Sequence, residues 1–153
     1  MSSNVNLTVA KDLKNDEFYT RYRDIEKELA NYTRHFNGKV VYCNCDIPSL
    51  SSFWKYFHIN FNSLGLKRLI TTHYWDGINF TYMTEYDGGN DDNIGEYRRI
   101  PLKGDGDFRS QECLNLLKES DIVVTNPPFS LAREYIVSLV KNDVFFLCIG
   151  DLN

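Results

Sequence analysis

The chain has 153 residues, 42% of them hydrophobic and 25% charged, a make-up that fits one soluble globular domain with enough apolar side chains for a core. No apolar run approaches the roughly 20 residues of a membrane helix, and the polar start from Met1 to Asn6 carries no secretion signal, so a cytoplasmic protein without membrane contact is expected. A net charge of −4 argues against strong binding of duplex DNA by this chain alone, because neutralising phosphates needs a basic face. The four cysteines and three histidines form no metal-ligand set; Cys43 and Cys45 stand one residue apart inside an apolar run, and reduced, buried thiols are expected.

Residues 1–15 read as a polar lead-in. From Tyr22 the apolar positions Tyr22, Ile25, Leu29, Tyr32 and Phe36 recur at helical spacing, and Asn37-Gly38 ends that helix. Lys39 to Cys45 is β-branched and apolar, a buried strand that Asp46 and Pro48 stop. Ser49 to Phe61 predicts a helix whose aromatic face (Trp54, Phe57, Phe61) belongs to the core, closed by Leu64-Gly65. Leu66 to Tyr74 is a second strand. Residues 76–101 read as hairpin material around a turn rich in Asp, Gly and Asn. Gly104 to Asp107 is a loop, and Ser110 caps a helix to about Glu119. Asp121 to Thr125 is a short buried strand, Leu131 to Val140 a helix, and Val144 to Ile149 a last buried strand. Apolar strands alternating with helices imply an α/β domain, a doubly wound and mostly parallel sheet of about five strands with a hairpin insertion. In such folds ligands bind beyond the carboxyl ends of the strands, which points to Asn44 to Ser49, His73-Tyr74 and Thr125 to Phe129.

The sharpest chemical signal is Asn126-Pro127-Pro128-Phe129, directly after a strand. Two prolines fix two φ angles, remove two N–H donors and push the residue before each out of helical conformation. The loop therefore presents an amide side chain, a bare carbonyl and an aromatic ring. Two acceptors, the Asn126 side-chain oxygen and the Pro127 carbonyl, suit the two hydrogens of an exocyclic amine such as N6 of adenine. Holding them localises a lone pair that is otherwise delocalised into the ring. Phe129 suits stacking on a base rotated out of a duplex. The structural alternative is a rigid loop that only leads into the next helix.

The sequence resembles the EcoRI-type adenine-specific DNA methyltransferases. The resemblance runs from Asn15 onward and rests on Asp16-Glu-Phe-Tyr-Thr20, Val41-Tyr-Cys-Asn-Cys-Asp46, Leu64-Gly-Leu-Lys67, Gly104-Asp-Gly-Asp-Phe-Arg-Ser110 and Thr125-Asn-Pro-Pro-Phe-Ser130. It implies a Rossmann-like methyltransferase core over residues 16–153 that uses S-adenosylmethionine, with Asn126, Pro127, Pro128 and Phe129 as the catalytic loop. Phe18 and Thr20 are then expected at the methionine end of the cofactor. Backbone contacts are expected from Asn44, Cys45 and Asp46, a segment that lacks the glycine-rich loop most such enzymes carry. The same resemblance implies that Asp105 and Asp107 accept from the cofactor's adenine amine and that Phe108 covers its ring. Thr71 to Tyr74 holds no acidic residue for the ribose, which leaves that contact unassigned. Phe18, Thr20, Asp46 and Phe108 each have an ordinary reading as cap, turn or core residues.

The family pattern further implies that DNA with an adenine target is the substrate of the complete enzyme, and that a target-recognition part follows beyond Asn153. This chain alone is then expected to bind DNA weakly and to self-associate or pair with a second polypeptide, since its last apolar strand lacks flanking strands. Two other readings stay open: methylation of glutamine in proteins, for which the same loop often ends in Tyr, and an inert or cofactor-binding module without catalysis.

Overall fold

A computed structural model of the chain describes residues 22–44, 51–74, 81–125 and 131–148. Helix α1 (described over residues 22–29) passes into a 3-10 stretch, Ala30–Phe36. The other helices are α2 (Ser52–Ile59), α3 (Phe61–Leu64), α4 (Gln111–Glu119) and α5 (Ala132–Lys141). The strands are β1 (Val40–Asn44), β2 (Arg68–Thr72), β3 (Thr81–Tyr86), β4 (Arg98–Leu102), β5 (Ile122–Thr125) and β6 (Phe145–Cys148).

The six strands among the described residues form one mixed sheet in the order β4-β3-β2-β1-β5-β6. β2, β1, β5 and β6 run parallel, while β3 is antiparallel to β2 and β4 to β3. This corrects the sequence expectation in one respect: the hairpin is not an insertion beside a sheet of about five strands but the antiparallel edge of a six-stranded one. The physical reason is the register, which sets Leu69 opposite Tyr86 and Thr71 opposite Thr84 and so extends the ladder of β2 directly.

Alternation along the buried strand β1 builds two cores. Val41 and Cys43 pack with Ile25, Leu29, Phe36, Trp54, Phe57 and Phe61 from α1 to α3; Val40 and Tyr42 pack with Leu116, Leu117, Tyr135 and Leu139 from α4 and α5. Helices therefore cover both faces. The side chains of Cys43 and Cys113 are buried.

Local chemistry fixes several ends. Ser51 Oγ accepts from the amides of Phe53 and Trp54, and Ser110 Oγ from that of Cys113, so both serines are N-caps. The helix expected over 49–61 divides at Asn60, whose Nδ2 donates to the Tyr56 carbonyl and ends α2; the single turn of α3 then stops at Gly65 with φ +70°. The 3-10 stretch alters the helical phase after Leu29, so Tyr32 is exposed and tilts toward His35 while Phe36 is buried. Asp121, just before β5, accepts the Val40 amide at 2.8 Å and aligns β5 with β1.

The hairpin turn is held by a buried clasp. His58, with no exposure, sets Nδ1 and Nε2 each 2.9 Å from the carbonyls of Asp91 and Glu96, and stacks on Tyr86 at 3.8 Å. Trp54 Nε1 donates to the Ile94 carbonyl. Arg68 and Arg98 converge on Glu85 at 2.9 and 2.6 Å; its carboxylate, nearly buried, is held below the usual range chiefly by Arg68.

Candidate active site

The strand order reverses at β1: β2 lies on one side, β5 on the other. Paired registers join Val41 to Ile122 and Asn44 to Thr72, so the carboxyl ends of β1, β2 and β5 lie side by side. Such a reversal opens a crevice in which α/β proteins hold ligands. β1 leads there into residues 45–50 and β5 into residues 126–130.

Of the expected site residues, Asn44, Asp105, Asp107 and Phe108 lie among the described residues. Phe18, Thr20, Cys45, Asp46, Asn126, Pro127, Pro128 and Phe129 lie outside them. Asn44 is buried at the end of β1, level with Thr72, whose hydroxyl meets Tyr42 Oη at 2.6 Å and lies near Cys113 Sγ. Full burial raises the Tyr42 phenol well above its ordinary range, so it stays protonated.

The loop over residues 104–109 is brought against the end of β2. Gly106 adopts φ +79°, and a Cβ there would collide with the His73 carbonyl oxygen. Only glycine allows that approach. The amides of Lys103 and Gly104 donate to the Glu112 carboxylate at 2.8 and 3.0 Å, and Thr81 Oγ1 donates to the Gly104 carbonyl. The start of the loop is thereby anchored.

Its two carboxylates differ. Asp105 is exposed, and its Oδ1 accepts the Asp107 amide at 3.1 Å. Asp107 is partly buried and paired with Arg109, which lowers its carboxyl below the usual range. Phe108 is buried, its ring edge-to-face on Tyr135 of α5 at 4.8 Å. Phe108 thus makes a core contact directly beneath the loop. Sequence reasoning missed Glu112 and Arg109 as the groups that hold this loop. The only advance signal was an arginine two residues after an aspartate, ambiguous without the fold.

The geometry defines an α/β protein with a candidate ligand site at the switch point of its sheet. The comparisons then name the family. The description "adenine-specific methyltransferase EcoRI" matches residues 6–153, and the chain belongs to that family. It is 48% identical over 163 aligned positions to the type II methyltransferase M.EcoRI of Escherichia coli, covering 99% of this chain and 50% of that protein. It is 43% identical to M.MpnI of Mycoplasma pneumoniae and 41% identical to M.MgeORF184P of Mycoplasma genitalium, both named type II methyltransferases, over 92% of this chain and 42% of each of them. The chain thus spans about half the length of the curated relatives it matches. No solved structure matches it.

Proposed function

We propose that this chain is the catalytic, S-adenosylmethionine-binding part of an adenine-N6 DNA methyltransferase of the restriction-modification type, built on the Rossmann-like methyltransferase fold. One observation carries the reading: β1 and β5, adjacent at the reversal of strand order, lead into the two motif segments that the chemistry needs.

The residues present fit the cofactor. Exposed Asp105 and partly buried Asp107 are acceptors suited to an adenine amine, and the close approach at Gly106 sets them beside the end of β2. Phe108, backed by Tyr135, forms the floor under the adenine ring. Asn44, Cys45 and Asp46 offer backbone contacts, and Phe18 and Thr20 hold the methionine end. When bound, S-adenosylmethionine supplies an electrophilic methyl group.

On the target side, the Asn126 side-chain oxygen and the Pro127 carbonyl accept the two N6 hydrogens of an adenine rotated out of the duplex. Pro128 stiffens the loop, and Phe129 stacks on the base. Catalysis here is positioning and electrostatic preorganisation, with no general base required of these residues.

In an active form complemented by a second polypeptide, Asn126→Ala is expected to lower methyl transfer to DNA by about a hundredfold to a thousandfold, the scale on which a positioned polar group acts. S-adenosylmethionine affinity should stay within about twofold, because Asn126 serves the target amine. Labelled-methyl incorporation measured beside calorimetry separates the two effects. Retention of most of the rate contradicts the assignment.

The partners follow from the surface. The net charge of −4 fits weak DNA binding by this chain alone. Ile136, Val137, Val140 and Phe145 lie exposed on α5 and β6, the outermost parallel strand among the described residues, and favour association with a second copy or a further polypeptide. Light scattering that finds a monomer methylating specific sites on its own would contradict that. Among the described residues no helix is long and apolar enough to cross a membrane, and the proposed setting is the cytoplasm, where DNA is accessible.

A further inference from the structure

Asp107 is held on three sides by one residue. Its Oδ1 accepts from the Arg109 amide at 2.8 Å and from Arg109 Nε at 2.9 Å, and its Oδ2 accepts from Arg109 Nη2 at 2.7 Å. The remaining guanidinium nitrogen, Nη1, stands 3.5 Å from Glu134 Oε2 on α5. The guanidinium carbon lies 5.5 Å from the Phe108 ring centroid. One side chain therefore ties the loop to the helix that follows the Asn-Pro-Pro-Phe segment. An ionised carboxylate offers about four acceptor positions. Arg109 fills three of them and leaves one on Oδ2, on a side chain that is still 20% exposed.

We propose that Arg109 is a positioning residue for recognition of the cofactor's adenine: it fixes Asp107, ionised and immobile, so that its one remaining acceptor position takes an amine donor and rejects a carbonyl at the same place. The proposal rests on the reading of this loop as the cofactor's adenine site and adds the group that makes it selective. A carboxylate held by a bidentate fork has a fixed direction. It is also kept acceptor-only, so a purine carrying oxygen in place of the amine meets lone pair against lone pair. A carboxyl group free to rotate or take a proton would tolerate both. Glu134 restrains the guanidinium in turn, so the selectivity is coupled to α5.

The test is calorimetric binding of S-adenosylhomocysteine and of its hypoxanthine counterpart, S-inosylhomocysteine, to the parent chain, Arg109→Gln and Arg109→Lys. The parent is expected to prefer the adenine compound. Arg109→Gln should weaken the adenine compound about tenfold while changing the inosine compound little, so that the preference collapses. Arg109→Lys, which keeps the charge but lacks the fork, should recover part of the preference. Equal weakening of both ligands, with the ratio preserved, would assign Arg109 a merely structural role and overturn the proposal, as would unchanged affinities. If the parent prefers the adenine compound and Arg109→Gln keeps that preference, the site reading survives and only the role of Arg109 falls. Binding of neither compound by the parent overturns the site reading and this inference with it.

Discussion

Two segments of this chain are alike in composition and opposite in use. Residues 87–92 and residues 104–107 are both short runs of Asp and Gly, with one Asn in the first, next to strands of the same sheet. In the hairpin turn the carboxylate of Asp91 is spent inward: Oδ1 accepts from Tyr86 Oη and Oδ2 from the Asn62 amide, which fastens the turn to α3. His58 and Trp54 complete the fastening from α2. In the loop over residues 104–109 the anchoring is delegated to neighbours, Glu112 for the backbone and Arg109 for Asp107. Asp105 keeps an exposed carboxylate, and Asp107 keeps one acceptor position. An acidic loop becomes a candidate binding site when other residues carry its structural load.

That contrast casts the hairpin side as a stability element and the loop as the proposed binding element, and substitutions can break it. The largest stability loss is expected at the clasp. His58→Ala removes the ring whose nitrogens face two carbonyls of the turn and opens a hole beneath Tyr86, at a cost of about 3 kcal/mol. Chemical denaturation should show it, with cofactor affinity of the folded protein unchanged; a large loss of affinity at full folding would erase the distinction.

Gly106→Ala comes next, at about 2 kcal/mol for a positive-φ residue forced against backbone. Here affinity for S-adenosylmethionine should fall along with stability, since the loop must move away from His73. A normal titration curve for a folded Gly106→Ala protein would remove the loop from the site.

The smallest effect concerns Glu85. Its carboxyl is depressed in the folded protein by Arg68 and then Arg98, so its contribution is present above the ordinary glutamate value of about 4.3 and is lost as pH falls through the lower folded value. Arg98 is largely exposed, so its share is screened by solvent. Glu85→Gln should cost about 1 kcal/mol at neutral pH and flatten the acid side of the stability profile. Asp107, depressed in the same direction by Arg109, leaves a residual slope there. An unchanged acid profile would show that the ion pair adds nothing.

Strands β1, β5 and β6 were legible because each is a short apolar run: Val40 to Cys43, Ile122 to Val124 and Phe145 to Cys148 needed no partner to be recognised. The aromatic face of α2 was legible for the same reason, with Trp54 and Phe57 fully buried. The joining of the hairpin to the sheet edge was not, because alternation announces a hairpin but not its neighbour. Nor was the passage from α1 into 3-10 geometry, where Asn31 and Thr33 weaken the helix within an unbroken apolar spacing. In the candidate site, Asp105 and Asp107 were visible as acids, and Asn44 as a strand end. What Asp107 does depended on Arg109 turning back onto it, a contact that spacing alone does not decide. Asn126 to Phe129 rest on chemistry and family membership.

The most direct test of the central claim is a calorimetric titration of this chain with S-adenosylmethionine. The account predicts saturable binding, with a thermal shift that rises with cofactor concentration as linkage requires. Absence of both heat and thermal shift at about millimolar cofactor, where even weak binding near 4 kcal/mol registers, would contradict it.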